Sequence, residues 1–326
     1  MNAAHNCERR HFLKTLAAGG LVAAADLPLF GRDDPSVFPR RGKNERLLVS
    51  YARIDAGATK PFSVMHISDT HLTSVYPGEN LNKQRLSVWR TRTFGGRQEE
   101  ALRDSLEWAK ENADFVLHTG DLIDWQSEAN YDHVRVAVEC IRLAAVGNHE
   151  YTPEMWLSVP KCTNDEAYKS LTGSGLKKAY GNRDLSFSTT TYNGVTFVAI
   201  DDSYGTVTIE QAERFREEVK KGLPIVLCMH VPFYTNHLWT AHEVYLKRNG
   251  EKYSSTSVPD ARSDYARQLS DKTTCDFIAY LKSEPLLKGI LAGHLHIDVS
   301  DRFSPTAMEY VVGGNFMFHG RHVLFT

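Results

Sequence analysis

The sequence predicts an α/β fold in which mixed β-sheet layers are flanked by helices. Short apolar runs alternate with helix-periodic segments along most of the chain. An Asn193-Gly194 pair joins two such runs as a hairpin, so the sheet is mixed rather than wholly parallel. In order, residues 47–54 and 62–67 read as strands. In 98–112, Ala101, Leu102, Leu106 and Ala109 recur at helical spacing. A strand at 115–119, a helix at 129–139 and a strand at 141–146 follow, and 185–191 and 195–200 flank the hairpin turn. Then come a helix at 210–221, a strand at 225–229, a helix over 264–282 that ends before Pro285, and strands at 289–291, 309–312 and 323–325. Two polar segments, 72–96 and 232–262, exceed ordinary connections and read as substrate-facing loops.

The 326 residues carry 38 Lys and Arg against 40 Asp and Glu, a net charge of −2. This balance argues against stable nucleic-acid binding, which calls for a basic surface. No run approaches the ~20 apolar residues of a membrane span. Five cysteines are too few for a disulfide framework. The spacings of Cys140, Cys162, Cys228 and Cys275 match no zinc pattern; free buried thiols are the expectation, with one disulfide left open. Arg9-Arg10-His11-Phe12-Leu13-Lys14 precedes a weakly apolar stretch ending in Ala23-Ala24-Ala25. Residues 1–25 therefore read as an export signal, and the paired Arg resembles the twin-arginine type, with Glu8 where that pattern has Ser or Thr. The expectation is an exported, periplasmic or extracytoplasmic protein: signal 1–25, linker 26–46 and one domain over 47–326.

The polar residues fall at strand ends, where α/β sheets bind ligands. After 62–67 comes Ser68-Asp69-Thr70-His71, and after 115–119 comes Gly120-Asp121-Leu122-Ile123-Asp124. After 141–146 comes Gly147-Asn148-His149-Glu150. The run 225–229 leads into His230, and 289–291 into Ala292-Gly293-His294-Leu295-His296. Imidazole and carboxylate without thiolate suit Mn, Fe, Zn or a similar divalent ion. So many donors exceed the needs of one ion, and an Asp can bridge two.

Asp-x-His, Gly-Asp-x-x-Asp, Gly-Asn-His-Glu, His and Gly-His-x-His, in this order, resemble the calcineurin-like metallophosphoesterase family over residues 69–296. The resemblance implies a four-layer αββα sandwich and a small-molecule phosphoester substrate. It implies two divalent ions and attack by a hydroxide bridging them. One ion would be held by Asp69, His71, Asp121 and His296, the other by Asp121, Asn148, His230 and His294. His149 would face the phosphate and protonate the leaving oxygen, with Asp124 hydrogen-bonded to it. Asp124 in place of Tyr, together with His71, separates the chain from the purple acid phosphatases. A non-catalytic binding protein on the same fold is the alternative, but none of the expected ligands is missing.

Other residues have plainer readings. His66 and His118 lie inside apolar strands and read as core histidines, and Glu150 reads as support for the ligands. Tyr234, His237, Trp239 and His242 either line a substrate pocket or decorate a surface loop. Trp89, Arg90 and Arg92 either steer a phosphate or belong to a solvated, lid-like insertion.

Overall fold

Alternate residues of the central strands face two different cores, and this period of two builds the layers of the molecule. The computed structural model describes residues 46–153, 165–249 and 257–326. The expected signal, all but the last residue of the expected linker, Cys7 and Cys162 lie outside the described residues. From the N-terminal side the chain forms β1 (Leu48–Ile54), β2 (Phe62–Ile67), α1 (Leu81–Thr93), α2 (Gln98–Asn112), β3 (Phe115–Thr119), α3 (Glu128–Cys140) and β4 (Ile141–Ala145). Next are α4 (Asp165–Ala179), β5 (Phe187–Tyr192), β6 (Val195–Ile200), α5 (Ile209–Lys220), β7 (Ile225–Cys228), α6 (Asn236–Asn249) and α7 (Ser257–Ser270). The last are α8 (Lys272–Ser283), β8 (Leu287–Ala292), β9 (Val299–Arg302), β10 (Met308–Val311) and β11 (His319–Phe325).

One sheet has the order β1-β11-β2-β3-β4, the other β5-β6-β7-β8-β10-β9. Within them β2, β3 and β4 run parallel, as do β6, β7 and β8. Phe62, Val64, Leu117, Val195, Phe197, Leu291 and Phe325 point into the space between the sheets. Their neighbours in sequence, Met65, Ile67 and Val116, face a second core with Leu102 and Leu106 of α2 and Val134 and Ala137 of α3. Val198, Ile200 and Leu227 face a third, filled by Phe215 of α5 and Phe277 and Leu281 of α8. The result is helices, sheet, sheet, helices, as the resemblance implied.

Several elements depart from the sequence expectation. The two polar segments are not simple loops: α1 occupies much of 72–96, and α6 with the start of α7 occupies much of 232–262. Only Leu86 and Arg90 of α1 are buried, so it shows almost no apolar periodicity to read. The single helix expected over 264–282 is two helices, because the Asp271 side chain accepts from Thr274 N at 2.8 Å and caps α8. The helix α4 carries Gly173 and Gly175, which lower helix propensity and hid it. The edge strand β9 is too short and polar to have been read. Among the described residues Cys228 and Cys275 are free thiols, Cys228 buried and Cys275 half-buried.

The inter-sheet core is aromatic at its centre. Phe197 meets Phe115 and Phe325 edge-on at 5.5 and 5.2 Å, and Phe62 at 6.1 Å. Phe197→Ala leaves a cavity there and is expected to destabilise the fold by about 3–5 kcal/mol. Denaturant titration would show a lower midpoint at an unchanged slope.

Candidate metal centre

The parallel strands of both sheets end on the same side, and the loops that leave them are stitched together. Beyond β2 and β3 the pairing continues through Asp69 N to Gly120 O at 2.9 Å, His71 N to Asp121 O at 2.9 Å and Leu72 N to Leu122 O at 3.0 Å. Asp124 N then returns to Leu72 O at 2.9 Å. Asp69, His71, Asp121, His294 and His296 all adopt left-handed backbone, with φ of 55, 52, 57, 68 and 54°. Such residues cost about 1–2 kcal/mol each, and clusters of them mark functional sites. Here the turns aim neighbouring side chains inward. Gly120, at φ 98°, must be glycine, since a Cβ there would lie 2.5 Å from His230 Nδ1.

The side chains converge. His296 Nε2 lies 3.3 Å from Asp69 Oδ1 and 3.2 Å from His71 Nε2. His230 Nε2 lies 3.3 Å from Asp121 Oδ2 and 3.3 Å from His294 Nδ1. His71 Nε2 is 3.6 Å from Asp121 Oδ2, which joins the two groups. His149 follows Asn148, and its backbone N–H donates to Asp121 Oδ1 at 3.0 Å. All of these side chains are buried or nearly so.

Hydrogen-bond bookkeeping tests whether the set suits a cation. His230 Nδ1 donates to Thr119 O at 2.8 Å, since a carbonyl only accepts. His71 Nδ1 donates to Asp124 Oδ1 at 3.0 Å. With those protons committed, a neutral ring presents a bare Nε2 to the site in each case. Nε2 of His71 then faces His296 Nε2, and that of His230 faces Asp121 Oδ2, so without a cation a proton must sit between each pair. Asn148 Oδ1 is buried with no hydrogen-bond partner. The residues fit a divalent cation, which satisfies all of these acceptors together. The electrostatics agree. Burial alone would raise the Asp121 pKa, yet His230 and His149 hold it well below the usual range. Burial alone would lower that of His230, yet Asp121 pushes it well above its ordinary value. The site attracts positive charge.

Around this set lies a ring of supports. The Asp124 carboxylate accepts from Arg90 Nε at 2.6 Å and Arg90 Nη2 at 2.8 Å. It also meets His71 Nδ1 and His149 Nδ1, each at 3.0 Å from Oδ1. Glu150 binds Asp121 N at 2.9 Å and Gly147 N at 2.7 Å through Oε2, and Leu122 N at 2.6 Å through Oε1, tying the loop after β3 to that after β4. Asp202 Oδ1 accepts from His230 N at 2.7 Å, and Asp264 Oδ2 lies 3.2 Å from His294 Nε2. An aromatic wall backs His71: Phe94 stacks on it at 4.3 Å, and Phe316 closes the side of His296 at 5.1 Å.

His66 and His118 are buried within their strands, as expected. His118 Nδ1 accepts from Gly120 N, so its Nε2 donates to Thr70 Oγ1 at 3.0 Å, and Thr70 passes the chain on to Asn315. Trp89, Arg92 and His237 are exposed. Arg90 overturns both of its readings: it is wholly buried and pins Asp124 instead of meeting solvent or substrate. Leu86, Arg90 and Phe94 share one face at four-residue spacing, but two apolar residues around an Arg were too faint a pattern to mark it in the sequence. Asp202 and Asp264 sit in segments where no pattern marked them.

The family profile described as calcineurin-like phosphoesterase matches residues 62–298, well over half of the chain. The chain belongs to that family. No curated protein matches it. Among solved structures it is similar to a dimetal phosphatase from Danio rerio, 14% identical at TM-score 0.43, covering 78% of this chain and 88% of that one. It is similar to a phosphopantetheinyl hydrolase from Mycobacterium tuberculosis, 12% identical at TM-score 0.37, covering 78% and 91%. A 5'-nucleotidase from Candida albicans is 14% identical at TM-score 0.38, covering 86% of this chain but 47% of its own. This chain thus spans about half of that nucleotidase's length. Among the described residues, no helix is long and apolar enough to cross a membrane.

Arg90→Gln leaves the buried Asp124 without its guanidinium and frees His71. Metal affinity is expected to fall about 10- to 100-fold, measured by chelator competition, with a lower thermal midpoint. Arg90→Lys restores only part of either, because an ammonium lacks the two-pronged geometry.

Proposed function

We propose that this chain is an exported metal-dependent phosphoric ester hydrolase acting on small phosphate mono- or diesters. Two divalent ions, Mn, Fe or Zn, would be held by Asp69, His71, Asp121 and His296 and by Asp121, Asn148, His230 and His294. Asp121 is shared because its Oδ2 faces both His71 and His230. When bound, such ions acidify water and neutralise phosphoryl oxygens. The observation that carries the reading is the convergence of His230 Nε2 on Asp121 Oδ2 and of His71 Nε2 on His296 Nε2, beside the unpartnered Asn148 Oδ1.

The chain's own residues position the substrate and move a proton. His149 Nδ1 is committed to Asp124, through the backbone O and Oδ1 at 3.0 Å each, which leaves Nε2 to hold a proton for the departing oxygen. Burial alone would lower the His149 pKa, but Asp121 and Asp124 outweigh it and push it up to about 9. The acid form is therefore present at neutral pH and is lost as pH rises through the raised value. Cations on Asp121 would remove part of that push. The alkaline limb should then fall between 6.5 and about 9.

An assay on aryl phosphate and bis-aryl phosphate, with added Mn²⁺ and with chelator, tests the activity and separates monoester from diester hydrolysis. Turnover that never depends on metal, or is absent with every plausible ion, would falsify the proposal. Asp121→Ala is expected to lose turnover and metal together. His149→Ala is expected to keep its metal and to lose at least ~100-fold on poor leaving groups, along with the alkaline limb; activated aryl leaving groups should be affected less.

Export rests on Arg9-Arg10 and the apolar stretch after them. Replacing both Arg by Lys should leave the protein in the cytoplasm, seen by cell fractionation; unchanged secretion would remove the twin-arginine reading.

A further inference from the structure

Two of the site's imidazoles are steadied by groups at the end of β3 or just after it. His71 Nδ1 donates to the Asp124 carboxylate and His230 Nδ1 to Thr119 O. His294 is met from elsewhere. Its Nδ1 faces His230 Nε2 at 3.3 Å, and its buried Nε2 lies 3.2 Å from Asp264 Oδ2 on α7. That contact is close without being aligned as a hydrogen bond, and Nε2 has no other partner. Asp264 is itself only 4% exposed, and the ion pair it makes among the described residues is with this imidazole. A carboxylate so enclosed needs a positive or proton-bearing neighbour. Once ionised it can only accept, so a proton shared between the two belongs to Nε2, and Nδ1 is left bare toward the strand-end donors.

The place of Asp264 is fixed from two sides. Gln268, one turn further along α7, accepts from Tyr234 N at 2.6 Å through Oε1 and donates to Pro232 O at 3.4 Å through Nε2, in the segment that follows His230. Gly205 lies against the Asp264 backbone, where a Cβ would come 2.6 Å from Asp264 O. Gly205 N in turn donates to Asp202 O at 2.6 Å, and Asp202 Oδ1 accepts from His230 N. The loops after β6 and β7 thus hold Asp264 beside His294.

We propose that Asp264 is a positioning residue for His294: its carboxylate keeps the ring proton on Nε2, so that Nδ1 is the nitrogen offered to the ion shared with Asn148 and His230. The inference rests on the two-ion reading of the site and adds to it a residue outside the strand-end motifs. Asp264 does for His294 what Asp124 does for His71, and one ion thereby comes to depend on α7.

The test uses the full chain, stripped by chelator and titrated with Mn²⁺, for wild type, Asp264→Ala and Asp264→Asn. Calorimetry reads the affinity of each ion, electron paramagnetic resonance reads whether bound ions form a coupled pair, and melting without metal reads the fold. Wild type should take two ions with a coupled spectrum. Asp264→Ala should hold one ion unchanged and the other about 10- to 100-fold more weakly. Below saturation its spectrum should be that of isolated Mn²⁺, and its metal-free midpoint should not fall. Asp264→Asn, whose amide oxygen still accepts, should recover part of the loss. Wild-type affinity for both ions in Asp264→Ala overturns the inference and leaves the phosphoesterase reading standing. Equal weakening of both ions with a lower metal-free midpoint overturns it in favour of a purely structural role. Asp264 coordinating an ion in a crystal structure of the loaded wild type overturns it in favour of a ligand. A wild type that takes up fewer than two ions, whether Mn²⁺, Fe²⁺ or Zn²⁺, overturns it together with the two-ion reading.

Discussion

Negative charge buried at one place is the constraint on which the rest of this molecule depends. Asp69, Asp121 and Asp124 have almost no exposure and share the same imidazole neighbours. Carboxylates are tolerated in such surroundings only when paired. Asp124 has a full partner in the Arg90 guanidinium. Asp69 and Asp121 have only imidazoles and backbone N–H groups, and among those imidazoles His71 and His230 have already committed Nδ1 to a carboxylate and a carbonyl oxygen. The arrangement is therefore incomplete in charge without cations, and the donors around it are the kind that hold them.

That requirement explains the backbone. Left-handed residues at five inward-pointing positions are unfavourable one by one and persist because the loops over-determine them. The stitching of 69–72 to 120–124 and the grip of Glu150 on four amides make the loops rigid. Close approach of the two sheets' loops leaves no room for side chains at Gly120 or Gly293. Rigidity of this sort is what a site needs if its electrostatics are to act on a substrate without reorganising.

The two inserted segments act on this centre from outside the sheets. The first sends Arg90 to Asp124 and lays Phe94 on His71. The second lays α6 against β9, the strand after His296, and α7, which begins within it, carries Asp264 to His294. Long connections in a layered fold thus become part of the site's support, and changes in them would alter the centre without touching its ligands.

How much was legible follows from these particulars. The strands were readable because each carries a run of apolar residues whose two faces meet two cores, and the residues after each run, from Asp69 to His296, were readable because strand ends are where such folds bind. The order of the motifs carried the family. The inward face of α1, the break at Asp271 and the supports at Arg90, Asp202 and Asp264 were not readable, since a polar helix or a lone acid carries no periodic signal. Sequence by itself determined which donors this chain has and where along it they fall, because local pattern and chemistry are written residue by residue. Only tertiary structure decided which nitrogen of a His faces the site and which acid is neutralised by which base, because those depend on partners up to 225 residues away along the chain.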